Sequence, residues 1–544
     1  MQKGGDSYAG YKPGKHRCAA ARQRHAKHAA AGKGRRRTHR NRAANARTLP
    51  AVKQIFMVIC GAFFLLLYAV LSVYNSAFSC FKAYIVLPLA LVVICALYFL
   101  YRLLCRSTDF LEKNLRALLF VLLGAAACIS LGVGIFARFT PAYDLGAIYY
   151  GGRELAQTGS LGSYAEYFAM FSNNLGGLGI FTVLAYICSL LGISDMYIPA
   201  LLLGIFCTVF SAAAMFFAAR RLFGTAPAFT ALIVFLLLPS FPTLGAAFYT
   251  DVLSMPFVAG GLLMYLKARE RALAGALRSS LLQAALCGII LAAGATVKGT
   301  AAICLIAVII DYLLIGARGL RRAAAVLTAV PVFALTLALA LPLLSGAVPA
   351  ELAKAKGIPW THWVAMSAHG SGLYDPYDYE AAKARPDKQA RKEADIEIIK
   401  KRYNENGIGG TLKLWSGKLM RDFGNGTFSA SDFLDDSPAY DTAVQQTVLK
   451  EGRYYNIFAN LCQGIYIGFM LLAAAGIIKG ALCGQTKAFM PVLCLFGLAV
   501  FLMFWEASAR YVTNFLPVML LCLAGSLYSL PTGKKARAKS RQAA

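Results

Sequence analysis

The chain has 544 residues, of which 58% are hydrophobic and only 15% charged, and its mean hydropathy is +0.57. A soluble chain has nearer a quarter of its residues charged, and here the apolar residues fall in long runs rather than in alternating or 3.6-period patterns. Those figures exclude a soluble enzyme, a disulfide-rich secreted module and a disordered chain, and they indicate a polytopic membrane protein.

The net charge of +29 is uneven along the chain. Residues 1–53 hold 15 Lys and Arg against one acid, Asp6, together with four of the six histidines. Such a segment has no apolar face to bury, so residues 1–50 are expected to form a disordered basic tail in the cytoplasm. The basic stretch is too long for a signal peptide. Anionic membrane lipid is its expected partner, and nucleic acid is not.

Spans of about 20 apolar residues are expected near 54–75, 83–105, 114–137, 174–192, 196–218, 226–241, 246–266, 279–297, 300–316, 323–346, 455–478, 488–506 and 508–530. Residues 51–346 and 456–530 thus form the membrane domain, and residues 531–544 a second basic tail. Both tails belong in the cytoplasm by the positive-inside rule, which requires an even number of spans, about 12. The conflict lies at 174–218. If Arg220-Arg221 is inside, one of the two segments there is re-entrant; otherwise the arginine pair breaks the rule.

Two larger pieces fall outside. One is the loop 138–173. The other is 347–455, with 15 acids, 15 Lys and Arg and no Cys, which reads as a largely helical extracytoplasmic insertion. Its stretch from Asp387 to Tyr403 predicts a surface helix ended near Gly407. The 14 cysteines mostly sit in apolar runs and show no CxxC or Cys/His spacing, so no zinc site or disulfide framework is indicated. The sequence names no cofactor.

Several charged residues lie at the edges of spans, where burial needs a partner or a task. Asp144 reads either as a cap for a helix over 145–157 or as a general base at the membrane boundary. For Asp251, which opens an apolar run, the capping role is the stronger reading. Lys298, in a tight outer turn, either snorkels to the headgroups or contacts a lipid phosphate. Glu506 and Arg510 are spaced i and i+4, so a helix would put them on one face as an ion pair or in a functional cavity. Trp360-Thr-His-Trp363 opens the insertion; it suits an interfacial aromatic belt or a sugar-binding surface.

Taken together and in order, these pieces resemble the GT-C membrane glycosyltransferases, specifically the bacterial relatives of protein O-mannosyltransferases and aminoarabinose transferases. The resemblance covers roughly 114–517 and rests on Tyr143-Asp144, Arg220-Arg221-Leu-Phe-Gly224, Tyr249-Thr-Asp251, Lys298, Thr361-His-Trp363, and Glu506 with Arg510-Tyr511. It implies a GT-C-like fold, a sugar donor on polyprenyl phosphate, and Asp144 as the base. It makes Arg153, Asp251, Lys298, His362, Trp363, Glu506, Arg510 and Tyr511 candidates for substrate binding. The acceptor would be a glycan, lipid or protein, and the location the cell membrane. Leu145-Gly146 replace the second acid that many relatives carry, and Ser172-Asn-Asn-Leu175 replaces their Pro-Pro-Leu stretch. A flippase or transporter, or a ligase for lipid-linked glycans, remains the alternative. The first would show polar residues deep in the spans, and the second a dense outer arginine set.

Deletion of residues 1–48 is expected to leave membrane insertion and activity intact, because nothing apolar is removed. Activity of the truncated protein in detergent checks this, and an inserted but inactive product would contradict it.

Overall fold

The computed structural model describes residues 50–314, 319–434 and 437–530. The expected basic tails, 1–50 and 531–544, therefore lie outside the described residues, Pro50 excepted. Lys53–Ala544 form one unit and Met1–Val52 another, of which only Pro50, Ala51 and Val52 are described. Among the described residues the regular structure is helical, with one isolated antiparallel bridge, Phe139 to Pro438. The protein is an all-α, multi-pass membrane protein.

The long runs of Leu, Val, Ala and Phe become helices because a backbone in lipid must satisfy its own polar groups. Ten helices are long and apolar enough to cross. A bent pair, Thr225–Leu237 and Phe241–Ala247, meets at 64°, and Ala301–Leu314 and Phe489–Phe504 are shorter. The bend falls at Leu238-Pro-Ser-Phe-Pro242, where two prolines remove amide donors and disfavour helix before them. Large apolar side chains such as Leu66, Phe99, Phe120 and Leu343 stay exposed on the outward faces, as lipid contact requires. The last helix is almost wholly buried in the bundle.

Polar pairs sort the helix ends into two rims. At the basic rim Arg220 pairs with Glu112 and Arg221 with Glu270, each at 2.5 Å. Lys53 meets Asp311 there, and Lys487 meets Tyr528. At the opposite rim Arg138 pairs with Asp195 at 2.7 Å, Tyr197 donates to the Gly134 carbonyl, and Asn514 donates to Thr300.

These pairs resolve the segment 174–218. Helix Leu175–Leu190 starts beside Asn174, which reaches Tyr167 and through it Asp144, and it stops just before Asp195. Both of its ends therefore sit at the opposite rim. It lies along that rim against helix Tyr143–Thr158 and does not cross. Gly176 permits the close approach, since a Cβ there would collide with the Thr296 carbonyl. With that helix set aside, nine of the ten long apolar helices remain, beside the bent pair and the two shorter apolar helices. The first and last helices start and finish at the same rim, and Arg220-Arg221 keeps its place with the other basic residues.

The insertion carries a helix over Lys388–Asp422 that begins as the sequence predicts, with the Asp387 carboxylate accepting from the Ala390 amide at 2.9 Å. It breaks at Gly407 (φ 56°, ψ −168°) but does not end there, since helix resumes to Asp422. Only glycine takes that backbone without strain.

One charge cluster was not anticipated, and it sits at the basic rim rather than the outer edge. Asp311, 2% exposed, accepts from Lys53 at 2.8 Å, Arg269 at 3.0 Å and Tyr265 at 2.6 Å, tying three helices together. Asp311→Ala leaves two buried cations uncompensated and is expected to cost about 3–5 kcal/mol. Thermal unfolding in detergent measures this, and an unchanged midpoint would refute the staple.

Candidate functional site

Asp144 stands in the first turn of helix Tyr143–Thr158, where Ala142 occupies the N-cap position and no side chain caps. The capping reading is thus overturned. The Asp144 carboxylate instead accepts from the Tyr167 hydroxyl at 2.6 Å through one oxygen and from the Tyr249 hydroxyl at 3.2 Å through the other. Asn174 donates to Tyr167 at 2.6 Å. Burial, and then the charge of Asp144, pushes the Tyr167 phenol well above its ordinary pKa, so it remains a donor. Two phenols from different elements hold the carboxylate in one orientation, and each oxygen keeps a free lone pair.

Asp251 does not cap either. It sits inside helix Thr250–Leu273 and pairs with Lys298 at 2.5 Å, at side-chain exposures of 3% and 15%. Lys298 therefore does not snorkel outward; the carboxylate and the Tyr511 ring, 4.3 Å away, hold it inside. Arg510 lies over three rings, Tyr249 at 5.3 Å, Tyr511 at 5.1 Å and Phe433 at 5.9 Å. The ring that carries one donor to Asp144 is therefore also the ring beneath Arg510.

Glu506 and Arg510 do not share a helix face, and no direct ion pair joins them among the described residues. Helix Phe489–Phe504 stops, the chain runs extended, and a 3-10 turn covers Ala509–Phe515. Tyr511 links the two charges, donating to Glu506 at 2.9 Å and accepting from Arg510 at 3.4 Å. The i,i+4 expectation fails because the insertion claims this backbone. Gly372 accepts from the Ala507 amide at 2.7 Å, Asp422 accepts from the Ser508 amide at 2.7 Å, and Ser367 donates to the Phe504 carbonyl at 2.9 Å. Lys418 donates to the Met503 carbonyl at 2.8 Å; burial lowers its pKa to about 8.

Three predicted residues fall outside this group. Arg153 is exposed, and its charge bears on Tyr149, Tyr150 and Asp195. His362 is buried beside Asp395, Nδ1 to Oδ1 3.6 Å, within the insertion. Trp363 stacks on Trp505 at 5.6 Å and 7°, so it packs against the segment leading to Glu506 without reaching Asp144. His362 is buried, and Trp363, half-exposed, has one face covered by Trp505. Tyr167, Asn174 and Phe433 were not singled out in the sequence, where aromatic and amide residues are too common to stand out.

His369, Asp375 and Asp378 bring ligand atoms within 4.8 Å of one another and are the described residues able to hold a metal ion. Arg402 already grips Asp378 with two hydrogen bonds, at 2.6 and 2.7 Å.

Residues 47–529 match the family described as "Conserved hypothetical integral membrane protein". The chain belongs to this family. The solved structure of ArnT from Cupriavidus metallidurans bound to undecaprenyl phosphate is similar at 14% identity, with a TM-score of 0.34. The match covers 75% of this chain and 76% of that one. No curated protein matches. What this family member does is therefore argued from its site.

Tyr511→Phe removes the hydroxyl between two charges and is expected to lower stability by about 1–3 kcal/mol. Arg510→Ala should lower it further, because three cation–π contacts go with it. Unfolding of the purified variants in detergent measures both, and a Phe variant as stable as wild type would show the hydroxyl to be dispensable.

Proposed function

We propose that this family member is a membrane glycosyltransferase that moves a sugar from a polyprenyl-phosphate donor to an acceptor hydroxyl, with Asp144 as general base. The basic rim is the cytoplasmic one, so the chemistry takes place on the outer face of the membrane and both termini are cytoplasmic. The observation that carries this reading is the Asp144 carboxylate, fixed by Tyr167 and Tyr249 at the rim beside Arg510 and Lys298.

The proposed reaction needs two things from the protein. Asp144 takes the proton of the acceptor hydroxyl as its oxygen attacks the anomeric carbon. The bond from that carbon to the phosphate oxygen breaks, and the phosphate leaves with the electron pair. Its charge falls to Arg510 first, since Lys298 is already committed to Asp251. Attack opposite the leaving phosphate inverts the anomeric centre. An apolar cavity of about 690 Å³ is lined by Gly176, Gly179, Thr296, Leu343 and Leu344 among others, and by Val297, the residue before Lys298 in the chain. This is where a prenyl chain could lie with its phosphate at the cations. The GT-C resemblance of the motifs supports the same donor.

Asp144→Asn is nearly isosteric, and the carboxylate is not a helix cap, so folding should be preserved. Transfer from radiolabelled polyprenyl-phosphate sugar by membranes should fall by about 10²–10⁴. Transfer close to wild type would remove Asp144 from the chemistry. Arg510→Ala should weaken donor binding and rate more than Glu506→Ala in the same assay, and equal losses would mark the pair as structural.

A further inference from the structure

A second cavity, about 410 Å³ in volume, lies between the hairpin that follows the first helix, the end of the insertion, and Ala507–Ala509. Its lining differs from that of the apolar cavity, being rich in hydroxyl, amide and charged groups, among them Ser429, Asn425, Tyr455 and Ser508. Such mixed donors and acceptors around a space of this size suit a polyhydroxylated ring.

Charge sharpens the fit. Lys450 and Asp432 in the lining pair with each other at 2.7 Å, and Glu451 adds an exposed carboxylate at the edge. Arg421 also lines the cavity, yet it makes no hydrogen bond or ion pair with any described residue, and its Nε is buried without a partner. A guanidinium with unspent donors is a ready fork for a planar or tetrahedral anion.

The position is equally informative. Asp432 faces the cavity, while its neighbour Phe433 lies 4.7 Å from the Tyr249 ring and under Arg510. Ala509, in the wall, adjoins Arg510 itself. One aromatic layer thus separates the cavity from the residues around Asp144.

We propose that this cavity seats a saccharide bearing one anionic group, a carboxylate or a phosphate, with Arg421 gripping the anion. Resting on the transfer reading above, that saccharide is the part of the acceptor anchored one aromatic layer away from Asp144, and a neighbouring part of the same acceptor presents the hydroxyl that Asp144 deprotonates.

Ligand-observed NMR on the full-length protein in detergent tests this with four probes: glucuronic acid, glucose 1-phosphate, glucose and inorganic phosphate. At least one of the first two should bind wild type about tenfold or more tightly than glucose or phosphate alone, and which one does so names the anion. Arg421→Gln should lose that preference while Asp144→Asn keeps it. Arg421→Lys, which retains the charge without the fork, should fall between, and it replaces the Gln variant should that one fail to fold. Equal binding by wild type and the Arg421 variant overturns the proposal, as does phosphate alone binding as tightly as the sugar phosphate. Absence of labelled-sugar transfer by wild-type membranes would sink the transferase reading while leaving the binding result standing, so the two failures are distinguishable.

Discussion

The stretch from Met503 to Ser508 leaves its helix at the membrane boundary, and every consequence at the site follows from how its backbone is then satisfied. Amides and carbonyls there cannot remain unpaired without a cost of several kcal/mol. The insertion supplies the partners: Lys418, Ser367, Gly372 and Asp422 each take one. Burial pushes Asp422 well above the usual carboxylate range, so the group that accepts from the Ser508 amide is one that gains from a donor. A loop domain thereby fixes a membrane segment, and the segment fixes Glu506, Arg510 and Tyr511.

From that segment the interactions pass through aromatic rings. Arg510 rests on Tyr249, Tyr249 donates to Asp144, and Tyr167 donates from the other side. Lys298 is held by Asp251 and by the face of Tyr511. Rings suit a site half in lipid, because they are apolar in bulk yet offer a hydroxyl edge and a negative face to charges. Two cations and three carboxylates are thereby kept close together without collapsing into direct pairs, except at Asp251 and Lys298. The remaining charges are thus not spent on direct ion pairs with one another.

At the far rim a different logic holds. Asp311 is saturated by Lys53, Arg269 and Tyr265, and its exposure of 2% leaves no approach for a ligand. Both rims contain buried charge, but one is closed upon itself and the other opens to two cavities of opposite character. That contrast separates a staple from a candidate site more clearly than charge alone.

The sequence by itself determined the membrane class, the segments that become helices and the insertion's long helix, because hydropathy and local capping are properties of neighbouring residues. It also pointed to Asp144, Asp251, Lys298, Glu506, Arg510 and Tyr511, since ionisable residues at span edges are conspicuous against apolar surroundings. Only the tertiary structure decided their roles. Asp144 and Asp251 read as caps locally and prove to have partners 105 and 47 residues away. The spacing of Glu506 and Arg510 promised a shared helix face, but distant backbone from the insertion drew the segment out of the helix. Helix Leu175–Leu190 is apolar enough to cross, yet it lies along the rim, as the pairing of Asp195, five residues past its end, with Arg138 on the side where the helix began makes plain. Hydropathy measures what a segment tolerates; which contacts it finally makes depends on residues that sequence order keeps far apart.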